Sequence, residues 1–193
     1  MTRPSKVTIF PVTPTTGGTT VPAPPSLADL VLGTAPPGFV QEADKIADTG
    51  PTNLAKAADD DVSRDARHVL QSSGFEAGYQ RQWTSVDAIG NTSTQDFVFL
   101  YRFATPEGAQ AFTQHWRLDL LSLGQSAPVQ SFSPPFIPGA IGLSVVDKKQ
   151  GSTGVVLFAK GQYAVQALVS SALSVDESGP VSEMAFAQYQ RLP

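Results

Sequence analysis

The chain has no cysteine. That excludes disulfides, thiolate metal sites, redox dithiols and cysteine nucleophiles. It leaves the compartment open, because an exported domain with a sufficient core can do without disulfides. Histidine is nearly as scarce: only His68 and His115 occur, with no HExxH and no i,i+4 histidine pair. Clustered basic residues are also missing. Lys148-Lys149 is the one adjacent pair, and the formal charge is -4. Polyanion binding rests on such clusters, so a nucleic-acid partner is not expected. No run approaches the ~20 apolar residues of a membrane-spanning helix. The start, MTRPSKVTIFPVTPTTGG, has no apolar signal core. GxSxG, SxxK, GxGxxG and GxxxxGK[ST] are absent.

Acidic residues are missing from one region only. Residues 1–26 contain none, but hold six of the 16 prolines and seven threonines. Proline fixes φ and removes a donor, and threonine and glycine bury little, so this segment cannot build a core. It reads as an extended tether, partly polyproline II. Residues 27–193 read as one domain. The hydrophobic fraction of 41% is enough for a real core.

The domain opens with SLADLVLG, a short apolar turn or helix stopped by Pro36-Pro37-Gly38, and Phe39–Gln41 begins a strand. Residues 52–58 and 62–72 read as helices. In the second, Val62, Ala66, Val69 and Leu70 make one apolar stripe. The run Asp59-Asp60-Asp61 before it suits a helix N-terminus and lacks the spacing of a calcium loop. Gly74 is a candidate C-terminal cap. The period then changes to two. Phe75, Ala77, Tyr79, Arg81 and Trp83 alternate with Gln80 and Gln82, and after the turn DAIGNTST come Phe97, Phe99, Tyr101 and Phe103. These make a hairpin with aromatics on matching faces. Thr105, Pro106 and Glu107 start a helix as N-cap, first residue and first-turn acid. Its stripe is Ala109, Phe112, Trp116, Leu120 and Leu123, with Gly124 ending it.

The second half repeats this layout. AIGLSVVD, TGVVLFAK and QYAVQALVSS are strands, the first two joined by a turn at KKQGST. DESGP then caps a helix striped by Val181, Ala185, Gln188 or Tyr189, and Leu192. The expected class is α+β. A twisted antiparallel sheet of five or six strands carries helices on one face, in two strand–strand–helix units at 75–123 and 139–192.

GFEAGYQRQW, FVFLYRFATPEGAQAF, IPGAIG, VVLFAKGQYAVQALVS and MAFAQYQRL are similar to segments of uncharacterised actinobacterial exported, lipoprotein-like domains that follow a Thr/Pro-rich leader. More distantly the layout resembles LpqN-type lipoproteins and the extracellular sensor domains of PknH-type kinases. The resemblance spans about residues 30–193. It implies a secreted or cell-envelope binding or sensing module with no known catalysis, and it carries over no functional residues. The kinase sensor domains depend on disulfides, which this chain lacks.

Chemistry-bearing patterns are few. His115 and Asp119 stand at i,i+4 on one helix, where an acid can orient an imidazole; a plain helix-surface pair has the same spacing. No catalytic residue, metal site or cofactor is expected. The aromatics on 97–103 lack the glycines and basic flanks of an RNA-binding strand, and they run into a helix with its own aromatic stripe, so they read as core. Tyr79, Trp83, Tyr101 and Trp116 carry polar tips that pure core positions rarely need, and they are the candidate lining of a sheet–helix pocket.

The expected role is therefore a non-enzymatic, extracytoplasmic module for a small hydrophobic ligand or an envelope protein. Its membrane contact would come only through an anchor preceding Met1. The alternative is a cytoplasmic, ferredoxin-like α+β binding protein or enzyme with a sheet–helix cavity, if Met1 is the native start. A structural domain of an envelope assembly is a third possibility.

Overall fold

The computed structural model describes residues 25–43, 49–61, 63–86, 89, 92–123, 128–149 and 151–193. The tether expected at 1–26 lies almost wholly outside them, as do Gly90-Asn91 and Gly124. The first half runs α1 (Leu27–Leu30), β1 (Val40–Gln41), β2 (Gly50–Thr52), α2 (Leu54–Asp60), α3 (Ala66–Ser72), β3 (Phe75–Val86), β4 (Thr92–Phe103) and α4 (Pro106–Leu123). The second half runs β5 (Val129–Phe132), β6 (Ile141–Asp147), β7 (Gly151–Lys160), β8 (Tyr163–Ser171) and α5 (Ser178–Arg191).

All the strands join one antiparallel sheet in the order β1-β3-β4-β8-β7-β6-β5. β2 shares an edge of β3 with β1, pairing at Gly78–Gln80 where β1 pairs at Trp83–Thr84. The sheet thus has eight strands, more than the five or six expected. The extra ones are short edge pieces such as Gly50–Thr52 and Val129–Phe132, too brief to show a period of two.

Helices cover both faces, which corrects the expectation of one. On one face α2, α3 and α4 pack over Tyr101, Phe103, Val155, Leu157 and Ala164. On the other, α1 and α5 pack over Trp83, Val98, Leu100, Val156, Phe158, Val165 and Val169. Register is the cause. Leu100 stands opposite Val165, so the branched face of β8 lies on the Val98/Leu100 side of β4, away from its aromatics. Helix α5 packs on that branched face, and α4 on the aromatic one. This two-sided cover also departs from the ferredoxin-like alternative.

Three local expectations shift. A bulge between Phe75 and Ala77 turns Phe75 onto the α4 face, edge-on to Tyr101 and Phe103, while Tyr79 and Trp83 stay on the α5 face. The acidic run ends α2, with Asp61 as its C-cap, instead of starting the next helix. GSTG belongs to β7, not to the turn before it. Thr105 caps α4 as expected, its Oγ1 accepting from the Gly108 N–H at 3.1 Å. Gly74 takes a positive φ of 77° just beyond α3.

Candidate functional site

The segment after α1 is tied to α5. Buried Gln188 accepts from the Leu32 N–H at 2.6 Å and donates to the Leu30 carbonyl at 3.1 Å. Arg81 donates to the Leu32 carbonyl at 2.8 Å, and Arg191 to the Leu30 carbonyl at 3.3 Å. These bonds hold residues 30–32 against α5 and β3, leaving a cleft of about 480 Å³ beside them. Leu32, Thr34, Pro36 and Phe39 form one wall. Pro180, Glu183, Met184 and Ala187 of α5 form another, and Thr94, Asp96, Val169 and Glu177 complete it.

The lining is mostly apolar, and its charged groups are all acids. Asp96 is buried, and its Oδ1 has no hydrogen-bond partner among the described residues. Burial pushes its carboxyl up to about 7, and the charge of Glu177 adds to the effect. Glu177 is raised as well, chiefly by burial, with the Ser152 and Ser171 hydroxyls opposing. Ser152 Oγ lies 3.4 Å from Glu177 Oε1. Gly154 makes this approach possible: a Cβ there would sit 2.8 Å from the Glu177 carbonyl oxygen.

The chain shares its fold with a known extracellular domain. That structure is the extracellular domain of PknH from Mycobacterium tuberculosis, at a TM-score of 0.51 and 11% identity, covering 86% of this chain and 94% of that one. At this identity the likeness concerns the fold alone, and at that level it agrees with the distant resemblance to PknH-type extracellular domains. No family model and no curated protein matches the chain.

The four candidate aromatics do not form one lining. Tyr79 and Trp83 belong to the core under α1 and α5, and Tyr101 and Trp116 to the core under α4. The sheet separates the pairs. Tyr101 packs 5.1 Å from Trp116, and its hydroxyl accepts from Gln80 Nε2 at 3.2 Å. Trp83 alone adjoins the cleft's acid: it is the cross-strand partner of Asp96, fully buried, with Nε1 unpartnered among the described residues. Sequence reasoning missed Asp96, Glu177 and Glu183. The available signal was an acid in register with Val98 and Leu100 on a face otherwise apolar.

The raised carboxyl gives a stability prediction. Folded Asp96 keeps its proton to about pH 7, whereas an unfolded aspartate loses it near pH ~4. The folded state binds more protons between these values, so stability falls as pH rises through that window and levels off above it. Asp96→Asn should remove its share of this fall. Because the carboxyl borders an open cleft, the gain over wild type at pH 8 relative to pH 4 is about 1–2 kcal/mol. Urea unfolding at the two pH values measures it. An identical fall in wild type and variant would mean that Asp96 titrates normally.

Proposed function

We propose that the chain is an extracytoplasmic, sensor-like module that binds a small amphiphile with an apolar body and a cationic head in the α5 cleft. The observation that carries this reading is buried Asp96, with an unpartnered oxygen in a mostly apolar cleft whose charged lining is entirely acidic. An apolar body suits Leu32, Phe39, Val169 and Met184, and an ammonium head would supply the hydrogen bond that Asp96 Oδ1 lacks and a countercharge for Asp96 and Glu177. The shared fold with an extracellular domain supports the compartment. The Pro/Thr-rich composition of residues 1–26 suits a spacer that holds such a module off the envelope. Among the described residues no helix is long and apolar enough to cross a membrane.

Calorimetric titration with decylammonium, decanol and decanoate, each below its micelle concentration, tests the reading. Decylammonium is expected to bind most tightly and decanoate not at all. Affinity should rise with pH through about 7 as Asp96 ionises. Asp96→Asn should weaken the amine roughly tenfold or more, and Ala187→Trp should block it. Equal binding of amine and carboxylate, or amine binding that Ala187→Trp leaves intact, would exclude the cleft as a cation-selective site.

A further inference from the structure

A second cluster of ionisable groups lies on the opposite side of the sheet. The earlier members of the acidic run are engaged elsewhere or exposed. Asp60 pairs with Lys56 at 3.1 Å and accepts from Gln80, and Asp59 faces solvent. Asp61 differs. Its side chain is 1% exposed, and its Oδ1 accepts from the Ser63 N–H at 2.8 Å. That bond orients the carboxylate and turns Oδ2 toward α4, where His115 and Asp119 stand one turn apart.

His115 Nε2 lies 3.6 Å from Asp61 Oδ2 and 2.9 Å from Asp119 Oδ2. Despite these distances, the His115 ring N–H does not align on either carboxylate oxygen, and all three atoms are shielded from solvent. The imidazole therefore does not bridge the acids as an ordinary donor. One donor atom from each residue lies within 4.8 Å of the others. Ligands at the usual zinc bond lengths sit about 2.9 Å apart at right angles and about 3.4 Å apart in a tetrahedron, close to the spacings seen. Among the described residues His115 is the only ion-pair partner of Asp61 and of Asp119.

We propose that Asp61, His115 and Asp119 bind one divalent transition-metal ion, with zinc the preferred species. One imidazole nitrogen and two carboxylate oxygens suit zinc or manganese. They suit calcium poorly, since it takes six to eight oxygens. The ion would join the C-terminal end of α2 to the middle of α4. Three protein ligands leave at least one position for water or an external group. Ser63 orients Asp61 through its N–H, and the Phe112 ring, 5.6 Å from the imidazole, supports His115.

The test strips the full chain with chelator, then titrates it with zinc chloride and, separately, manganese, magnesium and calcium. Retained metal is counted by elemental mass spectrometry after desalting. One zinc per chain is expected, with magnesium and calcium bound far more weakly. His115→Gln and Asp119→Asn lie at partly exposed positions and should fold, as their metal-free unfolding midpoints will show. Each should lose tenfold or more in zinc affinity, while His68→Gln changes nothing. Zinc should raise the unfolding midpoint of wild type and not that of His115→Gln. If wild type retains neither zinc nor manganese, or if both α4 variants bind like wild type, the proposal is wrong.

Discussion

Phe112→Ala is expected to lose about 3–5 kcal/mol of unfolding free energy, the usual cost of deleting a large buried aromatic. Phe112 is fully buried and central to the aromatic cluster under α4. Its ring lies 4.7 Å from that of Trp116, 5.3 Å from Phe103 and 5.9 Å from Tyr101. The neighbouring rings are anchored on a strand and on the helix itself, so they cannot collapse far into the space. Part of the cost is therefore an unfilled cavity and not transfer alone. Urea unfolding measures the loss. Leu121→Ala, at an exposed position on the same helix, should stay within about 0.5 kcal/mol. A loss below about 1 kcal/mol for Phe112→Ala would mean that α4 does not pack on the aromatic face of β4. The same substitution removes the ring beside His115, so it should also weaken zinc binding.

Gln188→Leu is expected to cost about 2–3 kcal/mol, although it puts an apolar residue into an apolar surrounding. The side chain satisfies two backbone groups of the segment after α1, the Leu32 N–H and the Leu30 carbonyl. The carbonyl keeps its bond from Arg191 at 3.3 Å, but the N–H loses its partner. Leucine can replace neither bond, and an unsatisfied buried group costs more than a hydrogen bond gains. The effect should extend beyond stability, because residues 32–39 form one wall of the cleft. Limited proteolysis should cut this segment faster in Gln188→Leu, and decylammonium binding should weaken with it. Gln190→Leu, exposed on the same helix, is the control and should do neither. Equal stability of Gln188→Leu and wild type would show that the tie between α5 and residues 30–32 does not hold in solution.

Both predictions draw on stripes visible in the sequence. Phe112 and Trp116 show α4's inward face by spacing alone. In the α5 stripe the sequence left Gln188 and Tyr189 as alternatives; the fold buries Gln188 completely, because backbone groups 156 and 158 residues earlier need its amide. A glutamine at a stripe position carries no mark of such a distant partner. The candidate aromatics show the converse. Their polar tips were read as signs of a pocket, yet Tyr101 satisfies its hydroxyl with Gln80 on the neighbouring strand. The acids that do line the cleft come from a strand, a helix N-terminus and the helix that follows, and nothing local links Asp96 to Glu177.

By itself the sequence determined the long elements, but not short edge strands such as Gly50–Thr52 and Val129–Phe132. Alternation of period two, stripes of period 3.6 and caps at Thr105 and Gly74 are local properties, and they act through a few neighbouring residues. The class, the two central hairpins and the helix after each follow from them. Only the tertiary structure decided which face each helix covers, where the cleft opens and that Asp61 meets His115 and Asp119. Those outcomes depend on strand register, Leu100 opposite Val165 and a bulge after Phe75. A shift of one residue exchanges the two faces of a strand. Register is set by packing between segments far apart in the chain, so no local pattern could encode it.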